Sequence, residues 1–183
     1  MAIVILTGFM GTGKTSVGER LAARLNARFI DTDAMVERAE GVAIDRLFAE
    51  RGEPYFRAAE KRAVSEAAAI PDAVITTGGG AIVDDENYQR LHAAGPIVCL
   101  SAAPEVIVER TRGEPRPLLA QGDPAARVRV LLAARAAAYA QADLTIDTSA
   151  LPVDAVVDRI VEFLQSKPSR ERSDRGAIRN PID

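Results

Sequence analysis

A short apolar run near the start of the chain leads directly into a glycine-rich loop. Residues 3–6 are Ile-Val-Ile-Leu, and residues 8–15 read Gly-Phe-Met-Gly-Thr-Gly-Lys-Thr. Val17, Leu21 and Leu25 then recur at the spacing of one helical face. A strand, such a loop and a helix in this order can surround a phosphate chain with backbone N–H groups. The pattern predicts a nucleoside triphosphate site; the alternative is a turn that merely joins a strand to a helix.

Each polar residue of this loop has its own expected task. Lys14 supplies a positive charge to the outer phosphates and is a candidate catalytic residue, and the Thr15 hydroxyl is a candidate Mg²⁺ ligand. A Cβ at Gly13 would enter the space that the phosphate occupies. The residues that we expect to bind the phosphates are Gly11, Thr12, Gly13, Lys14, Thr15 and Ser16.

Composition limits the remaining possibilities. With 183 residues, 48% of them hydrophobic, the chain suits one α/β domain with a substantial core, which we place at residues 1–166. The net charge of −3 argues against a broad nucleic-acid surface. The sequence contains no apolar run of membrane-spanning length and does not start like a signal peptide. We therefore expect a cytoplasmic protein without nucleic-acid or membrane partners.

Two further segments have mainly structural interpretations. Cys99 is the only cysteine and lies in the apolar run 97–100, so a buried structural thiol is favoured over a nucleophile. Residues 167–183 are interrupted by Pro168, Gly176 and Pro181 and contain few apolar side chains. We expect this tail to be disordered or loosely attached.

Short apolar segments alternate with longer helical patterns along the whole chain. The predicted strands are residues 2–7, about 28–30, 73–76, 96–100 and 143–146. This alternation predicts a parallel sheet with helices on both faces. Ligands bind such sheets at the carboxyl ends of the strands, where the sequence places residues 8–15, 31–33 and 78–80.

Residues 112–124 are expected to form a mobile lid. Prolines and glycines interrupt this segment, which contains Arg112 and Arg116 and separates helices beginning near Pro104 and Pro124. A lid with arginines in a phosphoryl-transfer enzyme both excludes water and contributes positive charge. An ordinary surface loop is the alternative.

Asp31 and Asp33 follow the second predicted strand and flank Thr32. An extended backbone would direct both carboxylates to the same side. One could then organise Mg²⁺ while the other accepts the proton of an acceptor hydroxyl; alternatively, either aspartate caps the next helix.

Two other classes of nucleotide-binding protein are disfavoured. The central strands 73–76 and 97–100 do not end in the aspartate that motor ATPases and GTPases use, and no Asn-Lys-x-Asp motif occurs. A small-molecule kinase is therefore favoured.

In its ordered set of motifs, the chain resembles a shikimate kinase from about residue 3 to residue 164. The motifs are the phosphate loop, Asp31-Thr32-Asp33, Phe56-Arg57-Ala58-Ala59-Glu60, Thr77-Gly78-Gly79-Gly80-Ala81, Arg116-Pro117-Leu118-Leu119 and Arg135-Ala136-Ala137-Ala138-Tyr139. The resemblance implies a P-loop NTPase fold of the nucleoside-monophosphate-kinase type, with a five-stranded parallel sheet of order 2-3-1-4-5. It also implies transfer of the ATP γ-phosphoryl group to the 3-hydroxyl of shikimate, in the pathway to chorismate and aromatic amino acids.

The same resemblance implies an acceptor site. Arg57 and Arg135 would bind the substrate carboxylate, for which a planar guanidinium is suited. Asp33 would bind hydroxyls and act as the base, and the backbone at Gly79 and Gly80 would close on the substrate. The helical substrate-binding region would contain Ile44, Phe48, Glu53, Phe56 and Glu60. Without the resemblance, Arg57 could pair with Glu53 or Glu60, and Arg135 could be a solvated helix residue.

The remaining residues carried over lie near the nucleotide. Arg116 matches a catalytic lid arginine that reaches the transferring phosphoryl group and the substrate, and Arg110 matches a residue that packs against adenine. Asp31 and Thr15 would hold Mg²⁺. Pro152 could pack on the base, but Ala150 stands where many relatives have an arginine, so we expect nucleotide affinity or base selectivity to differ from theirs.

Two other functions remain possible. Another metabolite kinase, such as one acting on gluconate, is disfavoured by the set of Arg57, Gly78–Gly80 and Arg135. A nucleotide sensor without catalytic activity is disfavoured by the presence of Lys14 and the two aspartates. We expect a monomer that uses ATP and Mg²⁺.

Overall fold

Five parallel strands form one sheet in the computed structural model, which describes residues 3–113 and 123–166. The strands are β1 (Val4–Gly8), β2 (Arg28–Asp31), β3 (Ala73–Thr76), β4 (Ile97–Ser101) and β5 (Leu144–Asp147). The helices are α1 (Lys14–Leu25), α2 (Thr32–Glu40), α3 (Ile44–Ala68), α4 (Asp85–Ala94), α5 (Pro104–Arg110), α6 (Pro124–Tyr139) and α7 (Val153–Ser166), with a 3₁₀ turn at Ala81–Val83.

The sheet order is β2-β3-β1-β4-β5, so the predicted fold class and order are confirmed. The central strand β1 pairs with β3 and β4, and Leu6 lies opposite both Thr76 and Val98. All five β1 residues are buried. This burial explains the unbroken apolar run at the start of the chain, since a central parallel strand is covered on both faces.

Apolar side chains alternate between the two faces of the sheet. On one face, Leu6 packs with Leu21 of α1 and Ile160 of α7. On the other face, Ile5 packs with Val64 of α3 and Leu91 of α4. Since β1 is buried from both sides, its carboxyl end and the loop that follows are held in a fixed position.

The starts of the helices differ in a way that bears on the site. Asp31, Asp84 and Asp123 cap α2, α4 and α6 by accepting hydrogen bonds from backbone N–H groups. Helix α1 begins after Gly13, and no side chain among the described residues caps it. Its first N–H groups therefore remain for other partners, and the positive end of the helix dipole favours an anion there.

Helix α3 is interrupted at Gly52, which has non-helical angles of φ 79° and ψ 171°. Pro54 follows in the first turn of the second segment, where the missing N–H of proline is harmless. Helices α2 and α3 also share a small apolar cluster of their own, including Val36, Leu47 and Phe56. Across the ranges 3–113 and 123–166, no helix combines the length and the apolar character needed to span a membrane.

Candidate active site

The phosphate loop joins the central strand β1 to helix α1. Gly8, Gly11 and Gly13 have φ values of 133°, 72° and 88°, which residues with a side chain rarely adopt. A Cβ on Gly8 would lie 2.1 Å from the carbonyl oxygen of Leu100, whereas one on Gly13 would have no atom of the described residues within 4 Å. The loop is therefore packed tightly at its base and open where a ligand would lie.

Phe9 contacts residues on both sides of the site. Its carbonyl oxygen accepts hydrogen bonds from the Thr12 hydroxyl and from Lys14 Nζ, both at 2.8 Å. Its buried ring lies under the guanidinium of Arg135, with Cζ 5.3 Å from the ring centroid. A cation over an aromatic face is attracted by the ring quadrupole. Phe9 thus links the loop lysine to an arginine on α6.

The loop opens into a cavity of about 460 Å³ at the carboxyl ends of β1, β2 and β3. Its described lining comprises Met10, Gly11, Gly13, Lys14, Thr15, Ser16, Asp31, Asp33, Ile44, Phe48, Phe56, Arg57, Glu60, Thr76, Thr77, Gly78, Gly79, Gly80, Arg110, Thr111 and Arg135. The three segments that the sequence pattern predicts at the strand ends therefore do meet.

Asp31 and Asp33 both line this cavity, but not for the reason expected from the sequence. Helix α2 begins at Thr32, so the backbone does not continue extended through the pair. Asp31 Oδ1 caps the helix by accepting from the N–H groups of Asp33 and Ala34, and Oδ2 accepts from the Thr76 hydroxyl at 3.0 Å. The capping alternative is thus correct for Asp31, and Asp33 faces the cavity from the first helical turn.

Asp33 and Glu60 each have one buried carboxylate oxygen without a hydrogen-bond partner among the described residues. A Cβ added to Gly78 would lie 2.7 Å from Asp33 Oδ1 and 2.9 Å from Glu60 Oε1, and these are the two unpaired atoms. Burial and the charges of Asp31 and Glu60 raise the pKa of Asp33 to about 6, and burial also raises the pKa of Glu60. Two unsatisfied acceptors beside one glycine are suited to hydroxyl donors of a ligand.

Arg57 is held from two sides by carboxylates of its own helix. Its Nη1 donates to Glu60 Oε2 at 2.8 Å, and its Nη2 donates to Glu53 Oε1 at 2.9 Å. Glu60 is 1% exposed, so this is not a solvated surface pair. Arg57 pairs with both candidates expected from the sequence while still lining the cavity, and these pairs fix the direction of its guanidinium.

The glycine turn after β3 lies against the two arginines. A Cβ on Gly80 would be 2.7 Å from Arg57 Nη1, and one on Gly79 would be 3.1 Å from Arg135 Nη1. The Tyr139 hydroxyl donates to the Gly79 carbonyl oxygen at 2.6 Å and holds the turn in place. Arg135 itself is 9% exposed and therefore is not a solvated helix residue.

A second cavity of about 280 Å³ lies on the other side of the phosphate loop. Its described lining comprises Thr12, Gly13, Ser16, Val17, Arg110, Thr148, Leu151, Val153 and Val156. Arg110 donates to the Gly11 carbonyl oxygen at 3.3 Å and to the Thr148 carbonyl oxygen at 2.8 Å. Its guanidinium is thus fixed between two loops and offers a flat surface beside a largely apolar pocket.

A comparison with protein-family models matches residues 10–165 to the family described as shikimate kinase. The chain belongs to the shikimate kinase family. It is 43% identical over 162 residues to the shikimate kinase of Caldanaerobacter subterraneus, covering 88% of this chain and 95% of that protein. It is 45% identical over 165 residues to that of Geobacter metallireducens, covering 90% and 92% respectively.

Solved structures of shikimate kinases are also similar to this chain. The shikimate kinase from Acinetobacter baumannii in complex with shikimate has a TM-score of 0.87 at 34% identity, covering 91% of this chain and 94% of that one. A gluconokinase from Sinorhizobium meliloti has a TM-score of 0.55 at 19% identity, covering 91% and 98%. At that identity the gluconokinase shares the fold alone. Membership of the shikimate kinase family also means that the chain uses ATP.

Most residues that the shikimate kinase resemblance assigns to the site surround one of the two cavities. Pro152 and Glu53 are exceptions, because both are exposed and line neither cavity, although Leu151 and Val153, the neighbours of Pro152, line the second. Arg116, most of the expected lid at residues 112–124 and the tail at 167–183 lie outside the described residues. The functional assignments of the individual residues remain predictions.

The donor groups near the loop are compatible with Mg²⁺. Thr15 and Asp31 line the same cavity, and no group of three or more His, Cys, Asp or Glu side chains suited to a metal occurs among the described residues. Mg²⁺ is usually held by one or two protein oxygens together with water and substrate phosphates. A hydroxyl and one carboxylate beside a phosphate loop suit such a shared site, rather than a cage made of protein alone.

Four residues contact the site residues in ways that sequence reasoning did not identify. They are Phe9, Gly78, Tyr139 and Thr148. Gly78 and Tyr139 belong to two of the family motifs, but the sequence around them does not indicate which side chains they contact. Thr148 accepts from Arg110 and donates to the Thr12 carbonyl oxygen at 3.0 Å, and no sequence pattern predicts a bond between such distant positions.

Proposed function

We propose that this protein transfers the γ-phosphoryl group of ATP to the 3-hydroxyl of shikimate, giving shikimate 3-phosphate and ADP. The observation that carries the proposal is the composition of one cavity. Beside the phosphate loop it contains the guanidiniums of Arg57 and Arg135 together with the unpaired oxygens of Asp33 and Glu60. This set suits a small acceptor that has both a carboxylate and several hydroxyl groups.

Acceptor binding follows from the charges around the glycine turn. Guanidinium groups bind carboxylates through charge-assisted and often bidentate hydrogen bonds. Because Arg57 is held by Glu53 and Glu60, and Arg135 by Phe9, both are oriented before the acceptor arrives. Hydroxyl groups of the acceptor would supply the donors that Asp33 Oδ1 and Glu60 Oε1 lack. Satisfying buried acceptors removes a desolvation penalty of about 1–3 kcal/mol per group.

The transfer step then needs a base beside the attacking hydroxyl. The acceptor oxygen forms a bond to the γ-phosphorus, the bond from that phosphorus to the bridging oxygen breaks, and ADP leaves with the electron pair. The hydroxyl proton passes to Asp33. Because the pKa of Asp33 is raised to about 6, it is mostly ionised at neutral pH and still basic enough to accept a proton.

On the donor side, Lys14 and the first N–H groups of α1 would hold the phosphates. The Lys14 ammonium donates to the Phe9 carbonyl oxygen within the loop and would supply positive charge to the outer phosphates. Thr15 and Asp31 would hold Mg²⁺, which when bound supplies charge neutralisation to the phosphates. Arg110 would lie against the nucleotide base, next to the second cavity. Arg116 would contribute positive charge to the transferring group.

A coupled assay of ADP formation with shikimate, quinate and gluconate tests the reaction. We expect ADP formation to depend on shikimate, with ³¹P NMR showing the product phosphate on the 3-hydroxyl. Faster turnover with gluconate than with shikimate would identify gluconate as the preferred acceptor and contradict the proposal. ATP binding without phosphorylation of any acceptor would favour a nucleotide sensor.

Two substitutions separate the tasks of the arginines. Arg57→Ala should mainly raise KM for shikimate, because this residue binds the acceptor in both the ground state and the transition state. Arg116→Ala should mainly lower kcat. An unchanged KM for shikimate in Arg57→Ala would remove Arg57 from its assigned role.

We also propose that the enzyme acts as a monomer. The candidate groups named above all belong to one chain, so the chemistry needs no residue from a second copy. Sedimentation at the concentration of the activity assay tests this assignment, and a dimer at that concentration would contradict it.

A further inference from the structure

The break at Gly52 divides the residues of α3 that line the cavity into two groups. Ile44 and Phe48 precede the break, whereas Phe56, Arg57 and Glu60 follow it. The angle between the two helical segments therefore sets the distance between the two sides of the acceptor pocket. Any group that fixes this angle acts on acceptor binding without touching the acceptor.

One carboxylate on the neighbouring helix bonds to both segments. Glu40, the last residue of α2, accepts from Arg51 Nη1 at 3.2 Å on the near side of the break. It also accepts from the Tyr55 hydroxyl at 2.8 Å and from Arg62 Nη2 at 3.0 Å on the far side. The Arg51 guanidinium additionally lies over the Tyr55 ring, 4.7 Å from its centroid.

We propose that Glu40 is a positioning residue for the acceptor pocket. Its carboxylate, together with Arg51, Tyr55 and Arg62, forms what we call the Glu40 clasp. The clasp spans Gly52 and fixes the angle of α3, which places Phe48 relative to Phe56 and Arg57. This inference deepens the proposed function and rests on it for the identity of the acceptor.

The exposures of the partners indicate a role in geometry more than in overall stability. The Glu40 side chain is 10% exposed, whereas those of Arg51 and Arg62 are 47% and 60% exposed. If Glu40 is removed, both arginines can regain water, and pairs with exposed arginines contribute little to folding. The apolar cluster of Val36, Leu47 and Phe56 still holds α2 against α3. What is lost is the carboxylate bridge across the break, whereas the hydrogen bond from Arg51 Nη1 to the Tyr55 hydroxyl at 2.5 Å and the contact between the Phe48 and Phe56 rings still span it.

A free enzyme without this bridge is less restrained at the break, so a smaller fraction of its molecules has the angle of α3 that forms the pocket. The apparent affinity of a ligand falls in proportion to the population of the competent state. We therefore expect Glu40→Ala to raise KM for shikimate by about fivefold or more. KM for ATP and kcat at saturating shikimate should each change by less than about threefold, because neither the nucleotide site nor the bound geometry is altered.

The matched control is Glu50→Ala. Glu50 pairs with Arg46 in an i,i+4 ion pair that lies entirely before Gly52, so its removal breaks a glutamate–arginine pair, here a more exposed one, but leaves the clasp intact. Glu50→Ala should leave the KM for shikimate and the KM for ATP unchanged.

Arg51→Met should raise KM for shikimate at least as much as Glu40→Ala does, because it also removes the bond from Arg51 to the Tyr55 hydroxyl. The double variant should be no worse than Arg51→Met, since Glu40 reaches the near side of the break through Arg51. Additive effects of the two substitutions would contradict the clasp.

Hydrogen exchange in the free enzyme tests the clasp without any acceptor. Exchange of the amides in residues 48–57 should be faster in Glu40→Ala than in Glu50→Ala, with α1 and α7 unchanged. An equal KM for shikimate in the two variants, or an equal rise in both KM values with a general loss of protection, would overturn the proposal. If the wild-type enzyme does not phosphorylate shikimate but local exchange changes as stated, the proposed function fails and the clasp stands.

Discussion

At the scale of the residue, Asp33 combines a functional position with an unfavourable environment. Its carboxylate is buried, lies near Asp31 and Glu60, and has one oxygen without a partner among the described residues. Active sites often accept such local costs because the same features raise the pKa of a base. The proposed role of Asp33 therefore predicts opposite effects of one substitution on activity and on stability.

Asp33→Asn should lower kcat by at least about 100-fold, because an amide cannot accept the hydroxyl proton. ATP binding should remain close to that of the wild type. The coupled assay and a direct titration of the nucleotide measure the two quantities. Asp85→Asn is the control, since Asp85 is exposed in the first turn of α4; near-normal turnover in Asp33→Asn would show that Asp33 is not the base.

The same substitution should stabilise the free protein, but only above acidic pH. The pKa of Asp33 is about 6 in the folded protein and 3.8 ordinarily, so the folded state binds this proton more tightly. The resulting stabilisation is complete below pH 3.8 and is lost as the pH rises through about 6. The shift corresponds to at most about 3 kcal/mol. The dipole of helix α2 favours the negative charge of Asp33 in its first turn. We therefore expect Asp33→Asn to increase the free energy of unfolding by only about 1–2 kcal/mol at pH 8.

Urea unfolding at pH 4 and pH 8 measures this difference. The gain from Asp33→Asn should be close to zero at pH 4 and should shrink at pH 8 when Glu60→Gln is also present, because the Glu60 charge contributes to the raised pKa. Glu53→Gln removes the other partner of Arg57 and should leave the gain unchanged. A gain that does not depend on pH would mean that the charge of Asp33 is not its source.

At the scale of the element, the turn between β3 and the 3₁₀ helix brings three glycines against different side chains. Gly78 lies beside the short side chain of Asp33, whereas Gly80 lies beside the far end of Arg57. A methyl group at either position must displace its neighbour. Since those neighbours have different proposed tasks, the two substitutions should have different kinetic effects.

Gly78→Ala should mainly lower kcat, by about tenfold or more, because it moves the proposed base. Gly80→Ala should mainly raise KM for shikimate, because the added methyl group displaces the Arg57 guanidinium from the position in which Glu53 and Glu60 hold it. Steady-state kinetics with each substrate varied in turn separates the two outcomes. A fall in kcat without a change in KM for both variants would contradict the different tasks proposed for Asp33 and Arg57.

At the scale of the whole molecule, helix α7 closes one face of the sheet. Val156, Val157 and Ile160 are all at most 2% exposed and pack in the cluster that contains β1 and α1. Full burial of each such side chain contributes about 1.5–3 kcal/mol. The expected domain, residues 1–166, therefore includes all of α7.

A protein truncated after residue 166 should keep the kcat/KM of the full chain and unfold within about 2 °C of it, because the removed residues 167–183 are expected to add little to the core. A protein truncated after residue 150 should fail to fold, because it lacks α7 and its buried face. Thermal unfolding and the coupled assay test both. A large loss of activity in the protein truncated after residue 166 would mean that residues 167–183 have a role that the sequence does not predict.

Local chemistry made much of this protein predictable from its sequence. The phosphate loop is recognisable because its function needs glycines and a lysine at fixed, nearby positions. The alternation of apolar strands and helices reflects burial of a parallel sheet on both faces. The predicted strand bounds agree with the observed ones to within one or two residues. The sheet order followed from the resemblance to shikimate kinases. The backbone is extended at Asp31, as expected, but helix α2 begins at Thr32, so Asp31 also caps that helix.

The contacts that give the site its chemistry depended on the tertiary structure. The unpaired oxygens of Asp33 and Glu60 meet beside Gly78, the Phe9 ring lies under Arg135, and Glu40 spans the break at Gly52. Each of these contacts joins residues from different elements, and its distance depends on how the elements pack. A sequence pattern fixes which groups are present and which faces are buried. Only packing fixes which of those groups approach one another, and hence which carboxylates lack partners, which arginines are held in place and which pKa values rise.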